Sequence, residues 1–331
     1  MRAASLVFRL GVSLALLGLV VAAGLLAYGR VLFEAEGPRP ADGAAETVLL
    51  VERGQGVSAI AARLQSEGLI EDARVFAIGT RVLGADDELK AGEYAIRAGA
   101  SMHQIVELLR SGRSFQYAFT VAEGLSVLQV MELLDADPVL TGPLPPAPPE
   151  GWILPEPYHF TRGTTRAEML ERMRAAQESV LAELWPGRQD NLPLATPEEA
   201  LILASIVEKE TGIAEERPLV ASVFINRLRK GIALQSDPTV IYPVTAGKPL
   251  GRRIRQSDLD RDSPYNTYRV SGLPPTPIAN PGRQAIAAVL DPPETDYLFF
   301  VADGTGGHVF AKTLAEHNRN VAAWRQFRRE Q

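Results

Sequence analysis

Hydrophobic and polar positions alternate along the chain in stretches of quite different character. From Leu10 to Gly29, twenty consecutive residues carry no charge, enough for one helix to cross a bilayer core. Residues 30–46 follow as a linker, with 37–46 small, polar and proline-bearing. The run Thr47–Glu52 then predicts a strand, and a Gly-Gln-Gly turn leads into a helix over 58–66 with Ile60 and Leu64 four apart. A second helix is expected over 73–83 and a strand over 92–96. Ser101, Ile105, Leu108 and Leu109 recur 25 residues later as Ser126, Val130, Leu133 and Leu134, which predicts two N-capped amphipathic helices. Six prolines between Pro138 and Pro149 exclude regular structure there, and the aromatic-rich segment 150–160 is also too broken by proline to be regular. Helices are expected over 166–184, forward from Pro197, and over 218–230. A loop-rich region then gives way to a strand over 297–302 and a helix over 313–328. The fold class is α+β.

The helix beginning at Pro197 draws the eye. Thr196 is a natural N-cap, Pro197 suits the first helical position, and Glu199 completes a capping box. At about 100° per residue, Ile202, Leu203, Ile206 and Val207 share one arc, and Glu210 projects onto its middle. Glu208 and Lys209 fall outside it, and Glu208 reads as solvated. A carboxyl on an apolar face is costly unless it is paired or its pKa rises, and a raised pKa suits a general acid working near neutrality. The plain alternative is a helix ending near Lys209, with Glu210 a solvated residue before Gly212.

Charge and composition narrow the classes. The balance of 34 Lys+Arg against 40 Asp+Glu is mildly acidic and no aromatic-studded basic run occurs, so nucleic acid is not an expected partner. The absence of cysteine rules out disulfides and thiol catalysis. Arg2 and Arg9 precede the apolar stretch and Glu34 and Glu36 follow it. The positive-inside rule then puts residues 1–9 in the cytoplasm, residues 10–29 across the membrane and the remainder outside. A signal peptide cleaved near Ala22-Ala23 is the rival reading; the apolar run is long for a signal and favours an uncleaved anchor. Two domains are expected beyond it, 47–112 and 113–331. The strand–helix–helix–strand order of the first, with its Gly-x-Ser helix start, resembles the LysM-type glycan-binding unit, and Tyr94 and Phe76 are its candidate sugar-facing aromatics. A purely structural spacer is the other reading of that domain.

Several blocks carry candidate chemistry: L-A-S-I-V-E-K-E-T at 203–211, V-A-S-V-F-I-N-R-L at 220–228, Q-S-D-P-T-V-I-Y at 235–242, Y-N-T-Y at 265–268, G-L-P-P-T-P-I-A-N-P-G at 272–282 and F-V-A-D-G-T-G-G-H-V-F at 300–310. With the anchor, the LysM-like unit and the E-G-W-x-x-P-x-x-Y-x-F segment, these blocks resemble, in order, the endolytic murein transglycosylase family across nearly the whole chain. The resemblance implies a single-pass inner-membrane protein with a periplasmic catalytic domain. It further implies a lyase that cuts nascent peptidoglycan strands internally and leaves 1,6-anhydro-N-acetylmuramic acid ends. Peptidoglycan synthases of the penicillin-binding kind are the implied protein partners.

In that family the essential glutamate is the second of the E-K-E pair, which corresponds to Glu210. One carboxyl suffices for such chemistry, because the sugar's own C6 hydroxyl attacks where a hydrolase needs a second carboxylate. Gln235, Ser236 and Asp237 are expected at the substrate, with Asp237 also readable as a cap before Pro238-Thr239. Tyr265, Asn266 and Tyr268 combine aromatic faces with amide and hydroxyl groups suited to sugars. His308, on a flexible loop after Gly306-Gly307, is a further substrate candidate. His317 lies nine residues on, a spacing that matches no familiar zinc signature, so neither metal nor cofactor is expected. Two rivals remain: a two-carboxylate murein hydrolase using Asp237, and a non-enzymatic murein-binding scaffold.

Overall fold

A computed structural model describes residues 2–40 and 43–330, with side chains for 16–40 and 43–329. The chain divides into two compact units, one built on residues up to Tyr117 plus His159–Arg162, the other on Ala118–Tyr158 and residues from Gly163 onward. In the first unit the apolar stretch forms helix α1 (Arg2–Glu34), and its described part, Leu16–Glu34, is long and apolar enough to cross a membrane. Arg2 and Arg9, which set the expected orientation, lie outside the residues with described side chains. The helix continues past Gly29 to Glu34. Phe33 is buried, and the Gly37 amide donates to Gly99 O, so part of the expected linker is ordered against this unit.

Strand β1 (Glu46–Val51), helices α2 (Val57–Ser66) and α3 (Ala73–Val82) and strand β2 (Gly92–Arg97) follow in the anticipated order. The strands pair antiparallel, with Leu49 opposite Tyr94. The first helix starts one residue earlier than expected, with Gly56 as its N-cap. Asp72 caps α3 by accepting from Arg74 N and Val75 N. Helix α4 (Met102–Ser111) completes the layer, and Leu49, Ile60, Leu64, Phe76, Tyr94, Ile96, Ile105 and Leu109 fill the core. Tyr94 and Phe76, the expected sugar-facing aromatics, are instead fully buried, and the Tyr94 hydroxyl donates to Lys90 O.

Strand β3 (Tyr117–Thr120), helix α5 (Val127–Ala136) and strand β4 (Pro157–Phe160) come next. The 25-residue repeat is real at atomic level: Ser101 with Gln104 and Ser126 with Gln129 form identical capping boxes. β4 corrects the expectation that 150–160 lacks regular structure; Pro157 opens the strand, where its missing N–H costs least.

The second unit is built around α7 (Pro197–Glu210), flanked by α6 (Arg166–Leu184), α8 (Arg217–Arg229) and α11 (Arg283–Leu290). Two short helices, α9 (Asp237–Thr245) and α10 (Gln256–Leu259), interrupt the loop-rich region. Strands β5 (Phe299–Ala302) and β6 (His308–Ala311) form a hairpin, and α12 (Leu314–Glu330) ends the described chain. Leu201, Leu203, Ile206, Val220, Phe224, Ile286 and Val289 make the core of this unit, and every residue of α7 from Ala200 to Glu208 is buried.

Candidate active site

Thr196 accepts from the Glu199 amide at the start of α7, and the Glu199 carboxylate reaches back to Ala195 N, one residue further than a capping box would take it. A helix buried on every side has no single apolar arc, so the periodicity that singled out Glu210 describes this helix incompletely. What distinguishes Glu210 is its place as the last helical residue, half-buried where α7 emerges from the core. Glu208 is not solvated. It accepts from the Gly282 amide at 2.9 Å and faces the buried Arg217 at 3.4 Å. Arg217 also donates to Glu123 at 2.8 Å and to Gln284 at 2.7 Å, so Glu208 belongs to a structural network beneath the helix. Burial pushes the Glu208 carboxyl above its usual range, against the Gly282 hydrogen bond and the Arg217 charge, which lower it.

Three segments converge on Glu210. The turn 235–236 has a left-handed Gln235 (φ 49°), and Ser236 does not cap α9 with its side chain. Its hydroxyl instead donates to Glu210 Oε1 at 2.5 Å. Asp237 is the first residue of α9, and Tyr268 donates to it at 2.6 Å. The two turns are clamped together: the Ser236 amide donates to Thr267 Oγ1 (3.0 Å), which also bonds Thr239 Oγ1 (2.8 Å), while Gln235 N donates to Thr267 O (3.0 Å). On another side, Glu216 accepts from both the amide and Nδ1 of His308, each at 2.7 Å, and from Thr211 beside Glu210. His308 is therefore the first residue of a strand held by a carboxylate, not a residue of a free loop. A third neighbour is Arg227, buried, whose guanidinium donates to Leu298 O and Leu234 O at 2.7 Å each.

The electrostatic balance at Glu210 follows from these contacts. Desolvation pushes its pKa up to about 7; the Ser236 hydrogen bond pulls down, the Asp237 charge pushes up, and His308 and Arg227 pull down. Burial alone would raise Glu216, but its bonds from His308 and Thr211 outweigh that and leave it below the usual carboxylate range. Tyr268 is pushed up by burial and by Asp237.

The other sequence-predicted residues divide. Asn266 is buried; its amide donates to Leu259 O and Arg261 O at 2.8 Å and its oxygen accepts from Tyr268 N, so it shapes the loop and has no amide hydrogen left for a sugar. Tyr265 packs on Tyr242 with ring centroids 5.1 Å apart, and its hydroxyl pairs with Thr276. Gln235 is exposed beside the Ser236 turn. Residues 272–282 form a wall pinned to α7 by Ile278 N donating to Ser205 Oγ (3.0 Å), with Asn280 bridging Ile153 N and Leu125 O. Beside the end of α7, a cavity of about 370 Å³ is lined by Lys209, Pro238, Ile241, Tyr242 and Lys248. Sequence reasoning missed Glu216 and Arg227. Arg227 sits in the noted V-F-I-N-R-L block, three residues after the core Phe224, and that was its available signal.

The model of the YceG-like family matches residues 49–323. The chain belongs to the YceG-like family. A Bacillus subtilis relative named endolytic murein transglycosylase is 32% identical, with 91% of this chain aligned to 90% of that protein. A Streptococcus pneumoniae (strain D39) protein of the same name is 29% identical over 93% of this YceG-like chain, which spans only 64% of the pneumococcal length. The crystal structure of a yceG-like protein from Listeria monocytogenes superposes with a TM-score of 0.53 at 28% identity, covering 83% of this chain and 98% of that one.

Proposed function

We propose that this chain is an endolytic murein transglycosylase, a lyase acting inside peptidoglycan glycan strands, with Glu210 as its single acid and base. The observation that carries the reading is the Glu210 carboxyl, desolvated to a pKa of about 7 and held by Ser236 where α7 leaves the core. The names of the Bacillus and Streptococcus relatives support the same activity.

In this reading protonated Glu210 gives its proton to the glycosidic oxygen between N-acetylmuramic acid and N-acetylglucosamine as the C1–O bond breaks. The carboxylate left behind accepts the proton of the C6 hydroxyl, whose oxygen closes on C1 to form the 1,6-anhydro end. No water is consumed. A pKa near 7 lets one group serve both steps, and the Ser236 hydroxyl stabilises the carboxylate between them. Asp237, hydrogen-bonded by Tyr268, keeps a negative charge close by that favours the protonated acid at the start. Gln235, Tyr268 and His308 are the residues we assign to sugar contact, and the cavity beside Lys209 and Tyr242 gives room for an adjoining saccharide.

The chain is anchored in the inner membrane by α1 with its catalytic unit in the periplasm, and peptidoglycan synthases are its partners at the growing strand. The unit spanning 47–112 is LysM-like in its strand–helix–helix–strand order. With Tyr94 and Phe76 in its core, any glycan it holds is gripped by loop polar groups. Purified glycan strands test the central assignment. Glu210→Gln is expected to lower cleavage on the order of 10² to 10⁴-fold with the fold intact by circular dichroism, which is the range a positioned general acid supplies. Retained cleavage in a folded Glu210→Gln variant would remove Glu210 from the reaction.

A further inference from the structure

We infer that the outer face of α3 is a second membrane contact, lying in the headgroup layer of an anionic bilayer beside the exit of α1. The inference rests on the reading of α1 as the anchor.

Helix α3 has a core side and an unpartnered side. Phe76, Ala77 and Thr80 face the core. At about 100° per residue, Ile78 and Val82 make a stripe on the far side, with Arg74 and Arg81 together along one flank, while Val75 packs back against the core. Ile78 is 55% exposed and Val82 72%, and Leu83 just beyond the helix is 39% exposed, so three apolar side chains stand exposed together. Neither arginine is ion-paired to a carboxylate among the described residues; Arg81 donates only to the Ser58 hydroxyl at 3.3 Å. Apolar side chains edged by cations are the composition of a helix lying in a membrane interface.

Position selects the bilayer as occupant. The stripe borders Gly79, on which the Phe33 ring of α1 sits so closely that a Cβ there would collide with it. Phe33 also packs edge-on against His103 of α4, so this unit is seated against the last turn of α1. A hydrocarbon core of about 30 Å is spanned by roughly 20 residues, here 10–29. Phe33 lies four residues further along, about 6 Å at a rise of about 1.5 Å per residue. The interfacial layer on each side of the core is about 5 to 7 Å deep. Ile78 and Val82, one residue before and three residues after Gly79, flank the Phe33 contact and so lie near headgroup depth. The exposed apolar surface of α1 reaches Val31, two residues before Phe33. Such a contact would give the first unit a second hold on the membrane surface beside α1.

The absence of cysteine makes the test direct. Full-length protein carrying Leu19→Cys, Ile78→Cys or Val82→Cys, each labelled with a polarity-sensitive fluorophore, is reconstituted into phosphatidylcholine vesicles with and without phosphatidylglycerol. Bromine-labelled lipid then quenches whatever it touches. The expected result in anionic vesicles is a blue shift and a loss of emission at residues 78 and 82 comparable to the loss at 19. Adding Arg74→Glu and Arg81→Glu should reverse much of that loss at 82 without changing it at 19. Quenching at 19 with water-like, unquenched emission at 78 and 82 overturns the α3 contact and leaves the anchor standing. No quenching at 19 overturns both.

Discussion

Glu210 is set by opposing neighbours, which makes its pKa adjustable in either direction. Cleavage that begins with a protonated Glu210 falls as pH rises through about 7. The Ser236 hydroxyl favours the charged form, so Ser236→Ala lets the carboxyl keep its proton longer and moves that falling limb to higher pH. The Asp237 charge disfavours the charged form, so Asp237→Asn moves the limb to lower pH. Rates against pH for the two variants check the pair; shifts in the same direction would contradict this balance of contacts. Glu208 predicts a different kind of loss. Glu208→Gln keeps an acceptor for Gly282 N and leaves Arg217 its bond to Glu123, so it should cost about 1–3 kcal/mol in urea unfolding and far less cleavage than Glu210→Gln. Glu210 was legible from residue spacing and motif, but the single apolar arc that pointed to it is absent, because α7 is buried all round. Glu208 was misread for the same reason: a charged residue placed off the arc was assumed to meet water, when Arg217 and the Gly282 amide await it nine and 74 residues further along.

At the scale of elements, the legible parts were those with local signals. Asp72, Ser101, Ser126, Thr165 and Thr196 all accept at helix starts, and α6 spans the very residues its pattern predicts. Helix α11 was missed because eight residues opened by Gly282 without a side-chain cap give little signal, and its burial against α7 and α8 supplies what propensity does not. β6 was missed for a similar reason: His308 and Val309 become a strand by pairing with Ala302 and Val301. The block over 272–282 was noted as a motif, but not how it is held. Asn280 is wholly buried and bridges Ile153 N to Leu125 O. Asn280→Ala should therefore destabilise the protein by about 2–3 kcal/mol through stranded backbone groups, measured by urea denaturation. A loss below the error of that measurement would mean the wall is held by packing alone.

For the whole molecule, the sequence pattern located a membrane-length helix and a strand–helix–helix–strand order after it, and both are present in a mixed α+β fold. The pattern did not show that 159–162 returns to the first unit, since a four-residue excursion leaves no periodic trace. It also misplaced Tyr94 and Phe76, because an aromatic on a short strand or helix reads alike whether it faces core or ligand. The claim that joins these scales is that one carboxyl, with the sugar's own hydroxyl as nucleophile, performs the cleavage. Mass spectrometry of glycan products made in oxygen-18 water tests it most directly. The account predicts new ends one water lighter than hydrolysis products and free of label, from wild type and, at a reduced rate, from Asp237→Asn. Labelled, hydrated ends from wild type, together with an inactive but folded Asp237→Asn variant, would contradict it and establish a two-carboxylate hydrolase.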